Sequence, residues 1–219
     1  MAAERAFRLL TLAGALLAAC ALPRGPVSPE LKAAAQQPDA LAIADALEAL
    51  IAAGNDTPAD REYAYDAVRE REQDTAAYAY ARAAVTGRLV QQRGLLGADL
   101  IGDVESWALR SRALDPGFRD GAATRLLGTL YVIAPSSFLK HGDSEQGLAL
   151  LEQVESEHPD VLENHLRLAE GYIALGDHAP AVPHLCVCLA NRSALRRDDQ
   201  KLLDDLVRVT GEPECVAQH

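Results

Sequence analysis

Apolar residues recur three or four positions apart over most of this chain, the spacing that places them on one face of an α-helix. The stretch from Arg119 to Ala190 shows the pattern most clearly. It contains two helix pairs, each interrupted by a Gly-Asp turn, at Gly142-Asp143 and at Gly176-Asp177. Runs of alternating β-branched residues are absent from the sequence, so no strand is predicted. The pattern therefore predicts an all-α fold.

The two helix pairs place large and small residues at equivalent positions. In each pair the first helix offers a large, a small and an aromatic residue, and the second offers small residues followed by a bulky one. These positions are Leu127, Gly128, Tyr131, Gly147, Leu151 and Val154 in the first pair, and Leu168, Ala169, Tyr172, Ala181, Leu185 and Cys188 in the second. The arrangement is typical of tetratricopeptide-like hairpins, in which small residues let two helix backbones approach and large residues fill the groove.

A constant spacing of 14 residues extends the pattern toward the amino terminus. The pairs with this spacing are Ala67 and Ala81, Ala113 and Leu127, and Val154 and Leu168. Stacked hairpins require a constant offset because each junction repeats the same rotation. We therefore predict that residues 39–219 form antiparallel helical hairpins stacked as a tetratricopeptide-like superhelix, with a capping helix from Asp198 to Val209. An irregular bundle of Ala-rich helices is the alternative.

Capping residues divide the first part of this domain into helices. Thr57 is followed by Pro58, which favours the first position of a helix. The predicted helices run from Asp39 to about Ala53, from Thr57, from Asp74 or Thr75 to about Arg93, and from Asp103 to Asp115.

Residues 1–20 have the layout of an export signal. Arg5 and Arg8 precede an apolar run that is too short to span a bilayer. The run ends in Leu17-Ala18-Ala19-Cys20, which resembles the bacterial lipobox. This resemblance implies a signal peptide over residues 1–19, cleavage before Cys20 and lipid on the Cys20 thiol. The alternative is an ordinary secretory signal in which Cys20 is incidental.

The segment after Cys20 is rich in proline and predicts a lipid-anchored tether over residues 20–38. Ala21 follows the cysteine, and no Asp occupies that position to signal retention at the inner membrane. By analogy with lipoproteins, this favours the outer membrane, with the domain facing the periplasm.

Charge and motifs exclude several function classes. The net charge of −11 argues against a nucleic-acid partner, since binding phosphates needs a basic face. The sequence has no Gly-x-Ser-x-Gly, no Gly-rich phosphate loop and no Cys-x-x-Cys. We therefore expect neither an enzyme nor a cofactor.

One irregularity interrupts the repeat. Gly128 and Ala169 are 41 residues apart, against a tetratricopeptide period of about 34. The additional residues lie near Ala134 to His141, and irregularities on a regular scaffold are often functional. The candidate ligand- or partner-binding residues in or beside this insertion are Tyr131, Phe138, Lys140, Asp143, Glu163, Asn164 and His165.

Each of these candidates also has a structural explanation. Tyr131 fits the core, and Lys140 fits a solvated loop. Glu163 fits the first turn of a helix, where negative charge is favourable. His165 fits packing or a hydrogen bond to the insertion. Glu163 and His165 are two positions apart and point in different directions on a helix, so no metal site is predicted.

Three cysteines remain besides Cys20. Cys186 and Cys188 are two positions apart on one helix and cannot pair with each other. Cys215 follows Gly211 and Pro213 and can reach back to Cys186, so a Cys186–Cys215 disulfide is the hypothesis for an oxidising compartment. Three free thiols are the alternative.

The insertion and its surroundings resemble a known family. The motifs Gly128-Thr-Leu-Tyr131, Ala134-Pro135, Gly142-Asp143 and Glu163-Asn-His165 are similar to those of the T-component lipoproteins of TRAP (tripartite ATP-independent periplasmic) transporters. The resemblance covers about residues 39–209 and is sharpest from Gly121 to Gly176.

This resemblance implies a lipid-anchored periplasmic protein that docks a solute-binding protein of the transporter. It also implies a homo-oligomer, which is a trimer by family analogy. The oligomer would contain a pore or cavity for a small ligand, and the analogy is compatible with a hydrophobic ligand. The alternative function is a general tetratricopeptide scaffold for assembling cell-envelope proteins, with no ligand of its own.

Overall fold

The computed structural model describes residues 25–215, and within that range the chain is all-α, as predicted, without a strand. Short 3-10 helices follow three of the α-helices, at Gly94–Leu100, Ser136–Phe138 and Arg192–Ala194. The α-helices are α1 (Pro29–Ala34), α2 (Ala40–Ala53), α3 (Pro58–Arg69), α4 (Ala76–Arg93), α5 (Ile101–Leu114), α6 (Ala122–Ile133), α7 (Ser144–Glu157), α8 (Leu162–Ala174), α9 (Ala181–Ala190) and α10 (Arg197–Thr210).

Side-chain caps set the beginnings of four helices. The Thr57 and Asp60 side chains exchange hydrogen bonds with each other's backbone N–H in a capping box at the start of α3. Asp39, Thr75 and Asp143 each accept a hydrogen bond from a backbone N–H in the first turn of α2, α4 and α7. The helix starts predicted at Asp39, Thr57 and Thr75 are confirmed.

The α5 helix begins earlier than predicted, and α9 begins close to two prolines, Pro180 and Pro183. The α5 helix begins at Ile101, two residues before the predicted cap Asp103, because the 3-10 helix Gly94–Leu100 leads directly into it. The α9 helix begins at Ala181, so Pro183 is its third residue. A backbone N–H has no partner within the helix at that position, and the proline therefore costs α9 no hydrogen bond.

The folded part of the chain begins before Asp39, the predicted boundary. Pro29–Ala34 forms α1, and Leu31 is fully buried in the same core as Leu47 and Leu89. Both the backbone N–H and the hydroxyl of Ser28 donate hydrogen bonds to the Asp60 carboxylate. The part of the predicted tether that the structure describes, residues 25–38, thus packs on α2 and α3.

One of the positions assigned to the repeat is also wrong. Ala113 is exposed, whereas Ser111 on the same helix is fully buried and its hydroxyl donates a hydrogen bond to the carbonyl oxygen of Ala76 at 2.9 Å. The five other residues of the 14-residue spacing are buried. The 14-residue spacing therefore selects the wrong residue of α5 at this junction, because Ser111 and not Ala113 makes the buried contact.

The helices pack in consecutive pairs, α2 with α3, α4 with α5, α6 with α7, and α8 with α9. The first helices of these pairs also contact one another in order, from α2 through α4 and α6 to α8. The carboxy-terminal helix α10 contacts both α8 and α2. Helices α2, α4, α6, α8 and α10 thus form a closed series of contacts, which we call the helix circuit.

Ion pairs hold the two ends of the helix circuit together. Arg196 donates a hydrogen bond to Glu48 on α2 at 2.7 Å, and Arg197 donates one to the Ala53 carbonyl oxygen at 2.9 Å. Arg88 on α4 donates two hydrogen bonds to the same Glu48 carboxylate, at 2.6 and 2.7 Å. The beginning of α10 is therefore attached to α2 by charge-assisted hydrogen bonds as well as by packing.

Glycines allow a close contact between helices α6 and α7. A Cβ atom at Gly128 would lie 2.7 Å from Leu151 Cγ and 2.9 Å from the Gly147 carbonyl oxygen. A Cβ at Gly147 would lie 2.9 Å from the Gly128 carbonyl oxygen. The backbones of the two helices therefore touch at this crossing, which positions the insertion between them.

Within residues 25–215, none of the helices combines the length and the apolar character that crossing a bilayer would need.

Candidate functional site

The insertion between α6 and α7, residues 134–143, is fixed by one buried carboxylate. Glu105 on α5 is fully buried. Its Oε2 accepts a hydrogen bond from the Lys140 backbone N–H at 2.9 Å, and its Oε1 accepts one from the His141 backbone N–H at 2.8 Å. A carboxylate that accepts two backbone donors holds a loop firmly. The insertion is therefore a shaped surface feature attached to α5.

Tyr131 on α6 packs against the end of the insertion. Its ring occupies the space that a Cβ at Gly142 would fill, since such an atom would lie 2.1 Å from the ring. Tyr131 is buried, and burial together with the adjacent Glu105 carboxylate raises the pKa of its phenol. The phenol therefore stays neutral, and Tyr131 acts here as a packing residue, in agreement with its structural explanation.

A groove of about 340 Å³ lies beside the insertion. Its volume falls in the range that small-molecule sites occupy, about 300–1,000 Å³. Its walls combine apolar and polar side chains from α5, α6, the insertion and α7, and the lining residues are Leu109, Arg112, Tyr131, His141, Gln146, Ala149 and Leu150. We call this the insertion groove.

The other candidates in the insertion have different roles. Phe138 ends the short 3-10 helix and leaves 38% of its surface exposed. Lys140 is exposed and its side chain lies over Gly102 on α5. The Asp143 side chain accepts a hydrogen bond from the Gln146 N–H and caps α7. Phe138 and Lys140 are therefore accessible to a partner, as are the other exposed residues of the insertion, Pro135, Ser136, Ser137, His141 and Asp143.

Asn164 closes the turn between α7 and α8. It is fully buried, and its amide group donates hydrogen bonds to the carbonyl oxygens of Val154 at 3.1 Å and His158 at 2.9 Å. Its side-chain oxygen accepts a hydrogen bond from Arg125 at 2.7 Å. Burial lowers the pKa of Arg125, and the nearby Glu163 opposes this effect. Asn164 and Glu163 thus belong to the framework of α8 and do not face the insertion groove.

The hydrogen-bond partners of His165 lie outside the insertion, so the structure does not show the hydrogen bond to the insertion that the sequence suggested. Its Nε2 lies 2.7 Å from the Pro159 carbonyl oxygen, and its Nδ1 lies 3.0 Å from His184 Nδ1 on α9. Glu155 Oε1 on α7 lies 3.4 Å from His165 Nδ1 and 3.9 Å from His184 Nδ1. One imidazole from α8, one from α9 and one carboxylate from α7 therefore converge on a common point.

Tyr172 forms one side of this cluster. Its ring stacks on His184, with ring centroids 6.3 Å apart and planes 19° apart. Its hydroxyl donates a hydrogen bond to Glu152 at 2.6 Å, and burial followed by that hydrogen bond raises the pKa of Tyr172 to about 12. Burial lowers the pKa of His184, so its imidazole is neutral at pH 7.

The structure thus divides the predicted site residues into separate groups. Tyr131, Phe138, Lys140 and Asp143 belong to the insertion, whereas Glu163, Asn164 and His165 belong to the first turns of α8. Sequence reasoning missed Glu105, Glu155 and His184. These residues contact the sites from other helices, so no local motif marks them. Two signals in the sequence were available. Glu105 is an acidic residue on the buried face of α5, and His184 is a histidine on α9, the helix that follows α8.

The cysteines lie at the carboxy-terminal end of the described chain. Cys186 and Cys215 form a disulfide with their Cα atoms 5.5 Å apart, which joins α9 to the segment after α10. Cys188 is a buried free thiol, and burial raises its pKa to about 12. Cys20, the predicted lipidation site, lies outside the described residues.

The chain matches no family model, and no curated protein is detectably similar to it in sequence.

Proposed function

We propose that this chain is a lipid-anchored accessory protein of a TRAP-type transporter that docks a periplasmic solute-binding protein. The insertion carries the proposal. It is an irregular segment on a regular helical scaffold, and the buried Glu105 carboxylate holds it by two backbone hydrogen bonds. A protruding segment that is fixed in advance loses little conformational entropy on binding, which favours a role in recognition.

The motifs behind the family resemblance support the proposal because they build this segment. Gly128 lets α7 approach α6, and Tyr131 packs against Gly142 at the end of the insertion. Asn164 closes the next turn through three hydrogen bonds. The motif residues Gly128, Tyr131 and Gly142 therefore build the α6–α7 crossing and the end of the insertion, whereas Asn164 fixes the following α7–α8 turn.

The proposal includes a finer architecture for the fold. The four helix pairs are tetratricopeptide-like hairpins stacked as a superhelix, and α10 is its capping helix. Support comes from the order of contacts, since each pair contacts the next and α10 follows the last pair. The contact between α10 and α2 would make this a tightly closed superhelix.

The proposed location follows from the amino-terminal sequence. Lipid on Cys20 would anchor the chain to the outer membrane, with the helical domain in the periplasm, and several acyl chains make such anchoring stable. The chain would meet the membrane through this lipid alone. The insertion groove, with about 340 Å³ and mixed lining, would be the place for a small ligand, and a homo-oligomer, a trimer by family analogy, would form around it.

In vivo cross-linking tests this function. A photo-reactive residue at position 138 of the full-length lipoprotein, in the bacterium that encodes it, should capture a periplasmic solute-binding protein. The same residue at position 209, where Val209 is exposed on α10, is the matched control and should not. Capture of cell-envelope assembly proteins in place of a solute-binding protein would favour the general scaffold and refute the transporter role.

A further inference from the structure

The carboxylate of Glu155 and the imidazoles of His165 and His184 point to a further site. We propose that these three side chains form a binding site for a divalent transition-metal ion of the zinc type. The inference is independent of the proposed docking function, because it depends on α7, α8 and α9 and not on the insertion.

The distances between the candidate ligand atoms fit one ion. They are 3.0 Å between the two imidazole Nδ1 atoms, 3.4 Å from Glu155 Oε1 to His165 Nδ1, and 3.9 Å from Glu155 Oε1 to His184 Nδ1. A tetrahedral zinc ion with bonds of about 2.0 Å separates its ligand atoms by about 3.3 Å. The three distances bracket that value, so the three atoms have the spacing expected of ligands to one ion.

The second nitrogen of His165 supports the same conclusion. Its Nε2 lies 2.7 Å from the Pro159 carbonyl oxygen, which can only accept a hydrogen bond. This contact selects the tautomer with its proton on Nε2, which presents a lone pair from Nδ1 toward Glu155 and His184. Histidines that bind metals commonly donate their other N–H to a carbonyl oxygen in this way, which fixes the tautomer and the orientation of the ring.

The exposure of the three groups fits a site with one open position. The His165 side chain is 9% exposed, and those of His184 and Glu155 are 18% and 20% exposed. Two imidazoles and one carboxylate form a ligand set that zinc accepts, with water or another group in the fourth position. The net charge of −11 also attracts cations to the protein.

A hydrogen bond between the two histidines is the competing explanation, and metal binding tests it directly. The full chain, purified in detergent without a polyhistidine tag and stripped with chelator, is titrated with Zn²⁺ in competition with a chromogenic chelator. We expect one Zn²⁺ per chain. His184→Ala and Glu155→Gln should each weaken binding by at least about tenfold, since each removes a ligand. His178→Ala, at an exposed histidine before α9, is the matched control and should leave the affinity unchanged.

A second measurement keeps the test decisive if a variant is destabilised. Co²⁺ bound by the parent chain should give the intense visible absorption of a four-coordinate site, and Glu155→Gln, which preserves side-chain size, should reduce it while the far-ultraviolet circular dichroism stays unchanged. Failure to retain Zn²⁺ at equimolar concentration would overturn the proposal. So would equal affinity in Glu155→Gln and the parent, or a loss of affinity in His178→Ala comparable to that in His184→Ala.

Discussion

Arg196 on the amino-terminal side of α10 and Glu48 on α2 form a hydrogen-bonded ion pair at 2.7 Å, although 148 residues separate them in the sequence. Arg88 binds both oxygens of the same carboxylate. Glu48 is therefore a shared anion for two arginines that come from different helices of the helix circuit. It contributes to the contact between α10 and α2, together with packing and the hydrogen bond from Arg197 to the Ala53 carbonyl oxygen.

Glu48→Gln should lower the free energy of unfolding by about 2 kcal/mol, because it removes a carboxylate that both Arg88 and Arg196 bind at a site only 24% exposed and leaves Asp198 as their shared anion. For a domain of this size the midpoint of thermal unfolding should fall by roughly 4–8 °C. Asp45→Asn is the matched control: it removes the long-range but exposed pair with Arg119 and should cost less than about 1 kcal/mol. An equal loss in the two variants would show that burial of the Glu48 network does not matter.

The contribution of Glu48 should disappear in acid. Burial raises the pKa of Glu48, but the hydrogen bonds and charges of Arg88 and Arg196 outweigh burial and lower it overall. Because the folded-state pKa lies below the ordinary value of about 4.3, the stabilisation is present above that pH and is lost as the pH falls through the folded-state pKa. In denaturant unfolding, the difference in the free energy of unfolding between the parent and Glu48→Gln should be largest at pH 7 and should shrink steadily as the pH falls below about 4.3. A difference that grew as the pH fell below that value would contradict this.

Gly128→Ala should destabilise the protein by about 1–3 kcal/mol, because its methyl group would overlap Leu151 and the backbone of Gly147 at the α6–α7 crossing. Gly87→Ala is the control on α4, where the nearest atom to the new Cβ lies 4.0 Å away. That variant should stabilise its helix by up to about 1 kcal/mol, since alanine favours helices more than glycine. Denaturant titration of both variants should give changes in the free energy of unfolding of opposite sign. A stabilised Gly128→Ala would show that α6 and α7 are farther apart than the structure places them.

Glu105→Gln should loosen the insertion. The amide can accept one of the two backbone hydrogen bonds but presents its NH₂ group to the other donor, leaving that N–H unsatisfied. Hydrogen exchange at Lys140 and His141 should become at least about tenfold faster, which corresponds to about 1.4 kcal/mol in the local opening equilibrium. Exchange in α10 should stay unchanged and serves as the internal control. Unchanged exchange at Lys140 would mean that another contact fixes the insertion.

Thiol counting tests the cysteine assignments. Alkylation of the denatured, lipid-bearing chain should label one cysteine, Cys188, without reductant and three with it. A chain whose Cys20 carries no lipid would give two and four labels instead, which separates the lipobox prediction from the disulfide. Loss of the Cys186–Cys215 bond should lower the free energy of unfolding by about 3–4 kcal/mol, given a closed loop of 29 residues. Three labels without reductant would refute the disulfide.

The sequence predicted features that depend on neighbours along the chain. Thr57 and Thr75 cap their helices where the local pattern places them, and Leu127 and Leu168 are buried as their helical spacing requires. Predictions failed where a distant segment decides the outcome. The predicted tether included Leu31, which the structure buries in the core formed by α2–α4. The burial of this short, proline-flanked helix depends on those later helices, so the local sequence does not reveal it.

The candidate site was less accessible to sequence reasoning for the same reason. The insertion was located because it interrupts a period, but the residue that fixes it, Glu105, lies 35 positions before its partner Lys140. His165 was named without its partners, because Glu155 and His184 become its neighbours only when α7, α8 and α9 pack together. A one-dimensional pattern identifies the face of a helix but not which other helix meets that face.

The buried state of Cys188 has a consequence for the covalent structure of the chain end. Thiol–disulfide exchange requires a thiolate, and burial raises the pKa of Cys188 to about 12, so almost none of it is ionised at neutral pH. Although Cys188 is only two residues from Cys186, it is therefore a poor attacking group toward the Cys186–Cys215 bond. Once oxidised, this segment is protected from scrambling, and its connectivity should persist without the help of an isomerase.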